Sequence, residues 1–388
     1  MIRNIRIVGY LVATLCIDAA FNLVASAQIQ TGLQYGKSTV ALVYVANSPS
    51  AGKFQINAFA AASDGKLAVV RGSPFPAPVI DMAGDGKYLF ATDTAHIYSY
   101  LIAADGAITK VGSIDALKFN SPGCGSVGGL FLDRTGANLY DFDYQFDCAN
   151  MGYQSFSIDP VSGRLTYLGR TTGHWSEFWY GPMSFIASNR FAYAATCIGN
   201  MYWLIYGFRR NRNGTMTDLN KDFPGPKAKQ DDFYCPYLTS PDPTNHVAIS
   251  VQAVNQNFGN DGLPQLATYT VNGLGDLTTK STYRNMPRTA NAYVYDIATS
   301  PSGKLLAVSG NAGLQVFHFN GSKPIAHYTQ LLTPDEIDQV CWDNDNHLYA
   351  ISSTSGKLFV FTITPTSHHK APGSPYAITN PQIMVVVP

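Results

Sequence analysis

The sequence predicts an all-β fold, a seven-bladed β-propeller of four-stranded blades in which the C-terminal strand joins the N-terminal blade. Three observations carry that expectation. Apolar runs of strand length recur in sets of four, at spacings of roughly 40–60 residues. Glycine-containing turn dipeptides separate them, and no run is long enough for a helix. The first set is one strand short, and the chain ends with one strand over.

Residues 1–27 read as a secretory signal. Arg3 and Arg6 form its positive end, residues 7–17 its apolar core, and Ala25-Ser26-Ala27 its cleavage site. As a membrane anchor the uncharged run is too short, and Asp18 and Asn22 follow it. Residues 28–39 are a lead-in, and 40–388 form one propeller domain, secreted or periplasmic, expected to be monomeric and without a membrane span. Few charges and 34 glycines suit such a domain. Loss of the signal leaves 24 basic against 25 acidic residues, with no run of Lys and Arg. That balance argues against nucleic acid as a partner.

The clearest unit spans residues 79–113. Its strands A to D are 79–83, 87–92, 96–102 and 107–113, the third alternating strictly between two faces. Asp64-Gly65, Asp105-Gly106, Asn213-Gly214, Asn272-Gly273 and Asn320-Gly321 read as the turns between C and D strands. The first copy starts at strand B, 41–47. The closing run, 382–387, follows Gly373-Ser374-Pro375-Tyr376 as 79–83 follows Gly72-Ser73-Pro74-Phe75, so it supplies the missing strand A. Closure of this kind removes exposed sheet edges.

In this topology D–A and B–C connections share one face, and A–B and C–D turns the other. Cys124 and Cys148 fall on the first face in the third blade. Cys197, opening a B–C loop, and Cys235, ending a D–A connection, fall there at the fourth and fifth. In an oxidising compartment they pair as Cys124–Cys148 and Cys197–Cys235. Cys341 is left over as a buried apolar thiol. A four-thiolate zinc site is the alternative, and no C-x-x-C spacing supports it.

The same face carries the long insertions, 118–127, 141–153, 173–182, 197–203, 227–236, 252–263 and 287–295. Variable loops on a rigid ring are where a ligand site belongs. The most chemically loaded is 173–180, with His174 and Glu177 as proton-transfer groups and Trp175, Trp179 and Tyr180 as aromatic platforms, joined by Tyr202 and Trp203. Against this stands a plain packing role, the aromatics holding the loop to the rim while His174 and Glu177 face water. Asp143, Asp147, Asp231, Asp232 and Asp261 form either a calcium site or a solvated acidic rim, and they match no standard calcium loop. Arg288 is placed to meet an anionic ligand. His368-His369 reads as a C–D turn on the far face. No cofactor-binding or hydrolase motif occurs, so no cofactor is expected. Asn213 and Asn320 match the glycosylation acceptor pattern as well as the turn pattern.

Tyr44-Val45-Ala46-Asn47 is similar to a Y-V-T-N repeat with Ala for Thr. With the G-K-x-L-(F/A) strands at 86–90 and 303–307, the G-x-L-T turn and G-S-P-(F/Y), it resembles the lactonase-family seven-bladed propellers over residues 40–388. That resemblance implies His, Arg and Glu around the channel, as in bacterial 6-phosphogluconolactonase and fungal carboxymuconate-cyclising enzymes. Those lactonases carry a G-P-H-x-H-like motif before a strand A. Here the approaches read Phe75-Pro76-Ala77-Pro78, Gly123-Cys124-Gly125-Ser126 and Tyr180-Gly181-Pro182-Met183, without the histidine pair. No catalytic residue carries over by motif. Two functions follow: a module whose loop-rich face binds a small molecule, glycan or protein, or a diverged lactonase or lyase using His174, Glu177 and Arg288.

Overall fold

The computed structural model describes residues 38–50, 52–120, 127–143, 152–173, 183–198, 202–230 and 232–388. Thr39–Pro388 forms one compact unit. The expected signal segment, and with it most of the lead-in, lies outside the described residues.

Seven antiparallel sheets follow one another along the chain, each with a four-stranded path in the order A-B-C-D, and in two of them a fifth short strand joins strand C. Blade 2 is Asp81–Gly84, Tyr88–Thr92, His96–Ile102 and Ile108–Asp115. Blade 3 is Val127–Leu132, Asn138–Asp143, Gly152–Ile158 and Leu165–Thr171. Blade 4 is Ser184–Phe185, Phe191–Ile198, Tyr202–Arg210 and Met216–Asp218. Blade 5 is Phe233–Pro241, His246–Val254, Gln265–Val271 and Leu277–Thr279. Blade 6 is Val294–Thr299, Leu305–Gly310, Gly313–His318 and Ala326–His327. Blade 7 is Gln339–Trp342, His347–Ser352, Lys357–Ile363 and His368–Lys370. Blade 1 takes strands B to D from Thr39–Ser50, Lys53–Ala62 and Leu67–Val69, and strand A from Pro381–Val387. Leu42 faces Val387 and Val45 faces Met384 across that seam, so the C-terminal run closes the ring as expected.

The core is distributed. Seven apolar clusters occur among the described residues, one at each interface between neighbouring blades. A four-stranded blade has two apolar faces, and only stacking against both neighbours removes them from water. Polar pins fix the stacking. In blades 1 to 4 a strand-B tyrosine reaches into the C–D turn of the next blade. Tyr44 donates to Gly106 O at 2.9 Å, Tyr88 to Val161 O at 2.7 Å, Tyr140 to Gly214 O at 2.7 Å and Tyr193 to Gly275 O at 2.9 Å. The tyrosine of Tyr44-Val45-Ala46-Asn47 is therefore an inter-blade strut.

The G-S-P-(F/Y) motif also has a structural use. Ser73 Oγ accepts from Ala58 N and Ser374 Oγ from Val360 N, both at 2.9 Å, in front of a cis proline. The following Phe75–Pro76 and Tyr376–Ala377 then pair with strand C of their own blades.

Three local readings change. Gly275, at φ +81°, takes the left-handed position in the blade 5 turn, with its N–H donating to Asn272 O. The Asn272-Gly273 pair thus opens the turn, whereas in blades 1, 2, 4 and 6 the glycine of the pair itself has positive φ. His368 and His369 are exposed residues of strand D in blade 7, not a turn. Cys197 and Cys235 lie within strands, B of blade 4 and A of blade 5.

Candidate functional site

The D–A/B–C face is held together in its central sector by Cys197–Cys235, whose Cα atoms are 5.3 Å apart. This expected disulfide joins blade 4 to blade 5. The other expected pair, Cys124–Cys148, lies outside the described residues. So do His174, Trp175, Glu177, Trp179, Tyr180, Asp147 and Asp231. Tyr202 and Trp203 belong to strand C of blade 4, paired with Ile198 and Cys197, so the connection between them is shorter than the expected insertion. Cys341 is the free thiol among the described cysteines, and burial pushes its pKa up. It is an inert group of the channel wall, as its place in an apolar strand implied.

Arg288 stands on this face at the edge of a polar cluster. The segment before strand A of blade 6 is zipped onto the start of strand C in blade 5. Leu266 N donates to Pro287 O at 3.1 Å, and Thr289 N to Pro264 O at 2.8 Å. Beneath it Tyr234 donates to Gln265 Oε1 at 2.9 Å, and Gln265 Nε2 donates to Met286 O at 3.0 Å. Burial, with Asp232 and Asp261 adding to it and Arg288 opposing, pushes the Tyr234 phenol up to about 12. It stays protonated and acts as a donor. The Arg288 guanidinium lies over Gly262, where a side chain would approach it to 3.4 Å. Asp261 is paired with Lys229 at 3.0 Å, as a solvated rim would be. No group of three metal-ligating side chains occurs among the described residues.

Around this cluster the face exposes aromatic side chains. Tyr293 is 65% exposed, Phe258 50% and Tyr295 40%. Phe258 sits at φ +59°, a left-handed conformation that an aromatic residue adopts at a cost of about 1–3 kcal/mol. Asn255 imposes it, its Oδ1 accepting from Asn257 N and Gly259 N at 2.9 and 3.1 Å. The turn thereby presents the ring to solvent. Tyr295 is held by a hydrogen bond to Glu336 that raises its pKa.

The sequence reading missed two carboxylates in the innermost strands. Asp81 Oδ2 accepts from Leu130 N of the next blade at 2.6 Å and Oδ1 from Met82 N at 2.7 Å. Asp296 repeats the arrangement, accepting from Val340 N at 2.9 Å and Ile297 N at 2.8 Å. Gln339 does the same toward Met384 N at 2.6 Å, from blade 7 to strand A of blade 1. Burial raises both carboxyls to about 7, with the backbone hydrogen bonds working against it. The signal was present as a repeated Asp-apolar-Ala, Asp81-Met82-Ala83 and Asp296-Ile297-Ala298, inside an otherwise apolar strand.

A raised carboxyl pKa favours the folded state when protonated. Its contribution is complete below the unfolded carboxyl pKa near 4 and is lost as pH rises through about 7. Urea unfolding at pH 6 should therefore give a stability greater than at pH 8 by about 1 kcal/mol for each carboxyl. A double Asp81→Asn/Asp296→Asn variant should lose that slope. An unchanged slope would place the titration elsewhere.

No family model and no curated protein matches this sequence. Solved structures do. A protein of Bacteroides uniformis provisionally assigned as a 6-phosphogluconolactonase superposes with a TM-score of 0.66 at 13% identity, covering 90% of this chain and 100% of that one. The periplasmic gluconolactonase of Pseudomonas aeruginosa gives 0.63 at 13% identity, over 90% and 99%. A Lactobacillus plantarum protein gives 0.65 at 12% identity, over 90% and 100%. The chain has the lactonase-like seven-bladed fold that its repeat motifs suggested.

Proposed function

We propose that this protein is an extracytoplasmic binding propeller that takes a sugar-derived ligand on its D–A/B–C face, over blades 5 and 6. One observation carries the reading, the presence of exposed Tyr293, Tyr295 and Phe258 and the exposed Arg288 on one face of a rigid ring. Scattered exposed apolar residues mean little, but aromatic rings grouped with a cation mark a contact surface. Sugar rings stack their C–H faces on such rings, and a guanidinium supplies the polar anchor. The Cys197–Cys235 disulfide and the signal-like N-terminus support the compartment.

The second reading is hydrolysis of a sugar-derived lactone, favoured by likeness to a gluconolactonase of the periplasm. His174 and Glu177 would then act as acid and base, with Arg288 steering the substrate.

Purified oxidised protein incubated with a panel of aldonolactones at neutral pH, and titrated with oligosaccharides and aldonates, separates the two. The binding reading expects saturable affinity, weakened about tenfold by Tyr293→Ala or Arg288→Ala, without turnover. Turnover abolished by His174→Ala/Glu177→Ala would establish the enzyme instead. Affinity indifferent to Tyr293 and Arg288 would remove the site assigned here.

A further inference from the structure

The central channel ends at the opposite face in a cavity of about 480 Å³, framed by the A strands of blades 4 to 7 and blade 1 and the A–B turns of blades 5 and 6, with Arg134 from blade 3. That volume lies within the range of small-molecule sites. We infer that this cavity is a second, independent binding site for a small polyhydroxylated anion, with Arg134 holding the acid group.

The lining is what such a ligand needs. Arg134 supplies the charge, and among the described residues no carboxylate lines the wall, although the nearby Asp242 charge acts on Arg134. Its Nη1 donates to Phe185 O and Asp242 O, at 3.3 Å each, and its backbone N–H donates to Asn189 Oδ1 at 2.9 Å. These contacts fix the side chain, and among the described residues Nε and Nη2 have no hydrogen-bond acceptor. Nearby Asp242 is committed to its own turn, accepting from Thr244 N at 2.8 Å and His246 N at 3.0 Å, with His246 Nδ1 3.1 Å from its other oxygen. A guanidinium edge with two free donors is the partner a carboxylate or phosphate takes bidentately.

Hydroxyls line the rest. Ser184 donates to Thr239 O at 2.7 Å, and Thr239 to Ser184 Oγ at 2.8 Å. Ser240 donates to Thr299 Oγ1 at 3.0 Å. Their protons are thus spent within the wall, and their remaining lone pairs accept from ligand hydroxyls. Trp342 donates its Nε1–H to Ala298 O at 2.9 Å, which fixes the indole as the apolar part of the lining. An acid group on Arg134, hydroxyls on the serines and threonines and a C–H face on Trp342 describe a sugar acid or sugar phosphate. This site shares no residue with the face proposed above.

Calorimetric titration with gluconate, glucose 6-phosphate and glucose tests it, on wild type, Arg134→Gln, Arg134→Lys and Arg288→Ala. The expected result is a site that takes one or both anions but not glucose, is weakened at least tenfold by Arg134→Gln and less by Arg134→Lys, and survives in Arg288→Ala, where any binding to the other face is weakened. Preference for gluconate or for the phosphate identifies the acid group. Quenching of tryptophan fluorescence by the bound anion, absent in Trp342→Phe, should localise it. Anion binding lost in Arg288→Ala but kept in Arg134→Gln would overturn the inference and place the ligand on the other face. Absence of binding by either anion at millimolar concentration would overturn it as well. Arg134→Gln should melt like wild type, so lost binding reports the site.

Discussion

Replacing Gly214 by alanine should destabilise the protein by about 3 kcal/mol or more, whereas Gly273→Ala should be neutral or slightly stabilising. Both glycines sit in an Asn-Gly pair near a C–D turn, and both look alike in the sequence. Gly214 has φ +92°, and a Cβ there would lie 2.1 Å from Asn138 Nδ2 and 2.5 Å from its Cγ. A left-handed alanine alone costs about 1–3 kcal/mol, and overpacking costs about as much again. Asn138 cannot step aside freely. It donates to Phe156 O at 3.2 Å and accepts from Arg210, whose Nε lies 2.7 Å from the fully buried Asp133 carboxylate. The Gly214 carbonyl also receives Tyr140. One added methyl therefore presses on a hydrogen-bonded, ion-paired network between blades 3 and 4. Gly273 meets nothing within 4 Å and lacks the left-handed backbone. Urea unfolding of both variants checks the contrast. Equal losses would mean that the turn, and not the neighbouring blade, sets the requirement for glycine.

That contrast shows what a single sequence can and cannot carry. Strand periodicity is a local property, so the four-strand repeat, the closing run at 382–387 and the side of the ring on which Cys197 and Cys235 fall were all legible. Inter-blade contacts are not local. Nothing in residues 79–91 announces that Tyr88 reaches Val161, or that Asp81 accepts from Leu130, because each partner is set by the stacking of the next blade. The offset of the blade 5 turn was hidden for a related reason. Asn272-Gly273-Leu274-Gly275 offers two glycines, and packing of Gly275 against Phe191 and Leu219 of blade 4 selects the second. Of the site, Arg288 was legible as a cation on the loop-rich face. Phe258 was not, since an aromatic in a left-handed turn defies the residue preferences by which turns are read. Arg134 sits in an ordinary A–B turn and acquires meaning only where five innermost strands converge.

Removing the Cys197–Cys235 bond should have an effect of similar size. In the chain-entropy account a bridge closing 38 residues restricts the unfolded chain by about 3–4 kcal/mol. Here the bridge does more than close a loop. It links the end of strand B in blade 4 to strand A of blade 5, and between them run strands C and D of blade 4 and the whole connection that carries Lys229. Cys235 is fully buried, so its thiol would not be exchanged for contact with water. A double Cys197→Ala/Cys235→Ala variant is the clean comparison, because chemical reduction would also open any bond between Cys124 and Cys148. Its stability from urea unfolding should fall by the amount above, with a slope equal to or steeper than wild type because the uncrosslinked unfolded chain exposes more surface. Cys341→Ala should behave differently, losing only what a small buried side chain contributes, because that thiol holds no loop. If the double variant matched wild type, the two cysteines would be reduced in the native protein. Only the N-terminal segment would then point to an oxidising compartment.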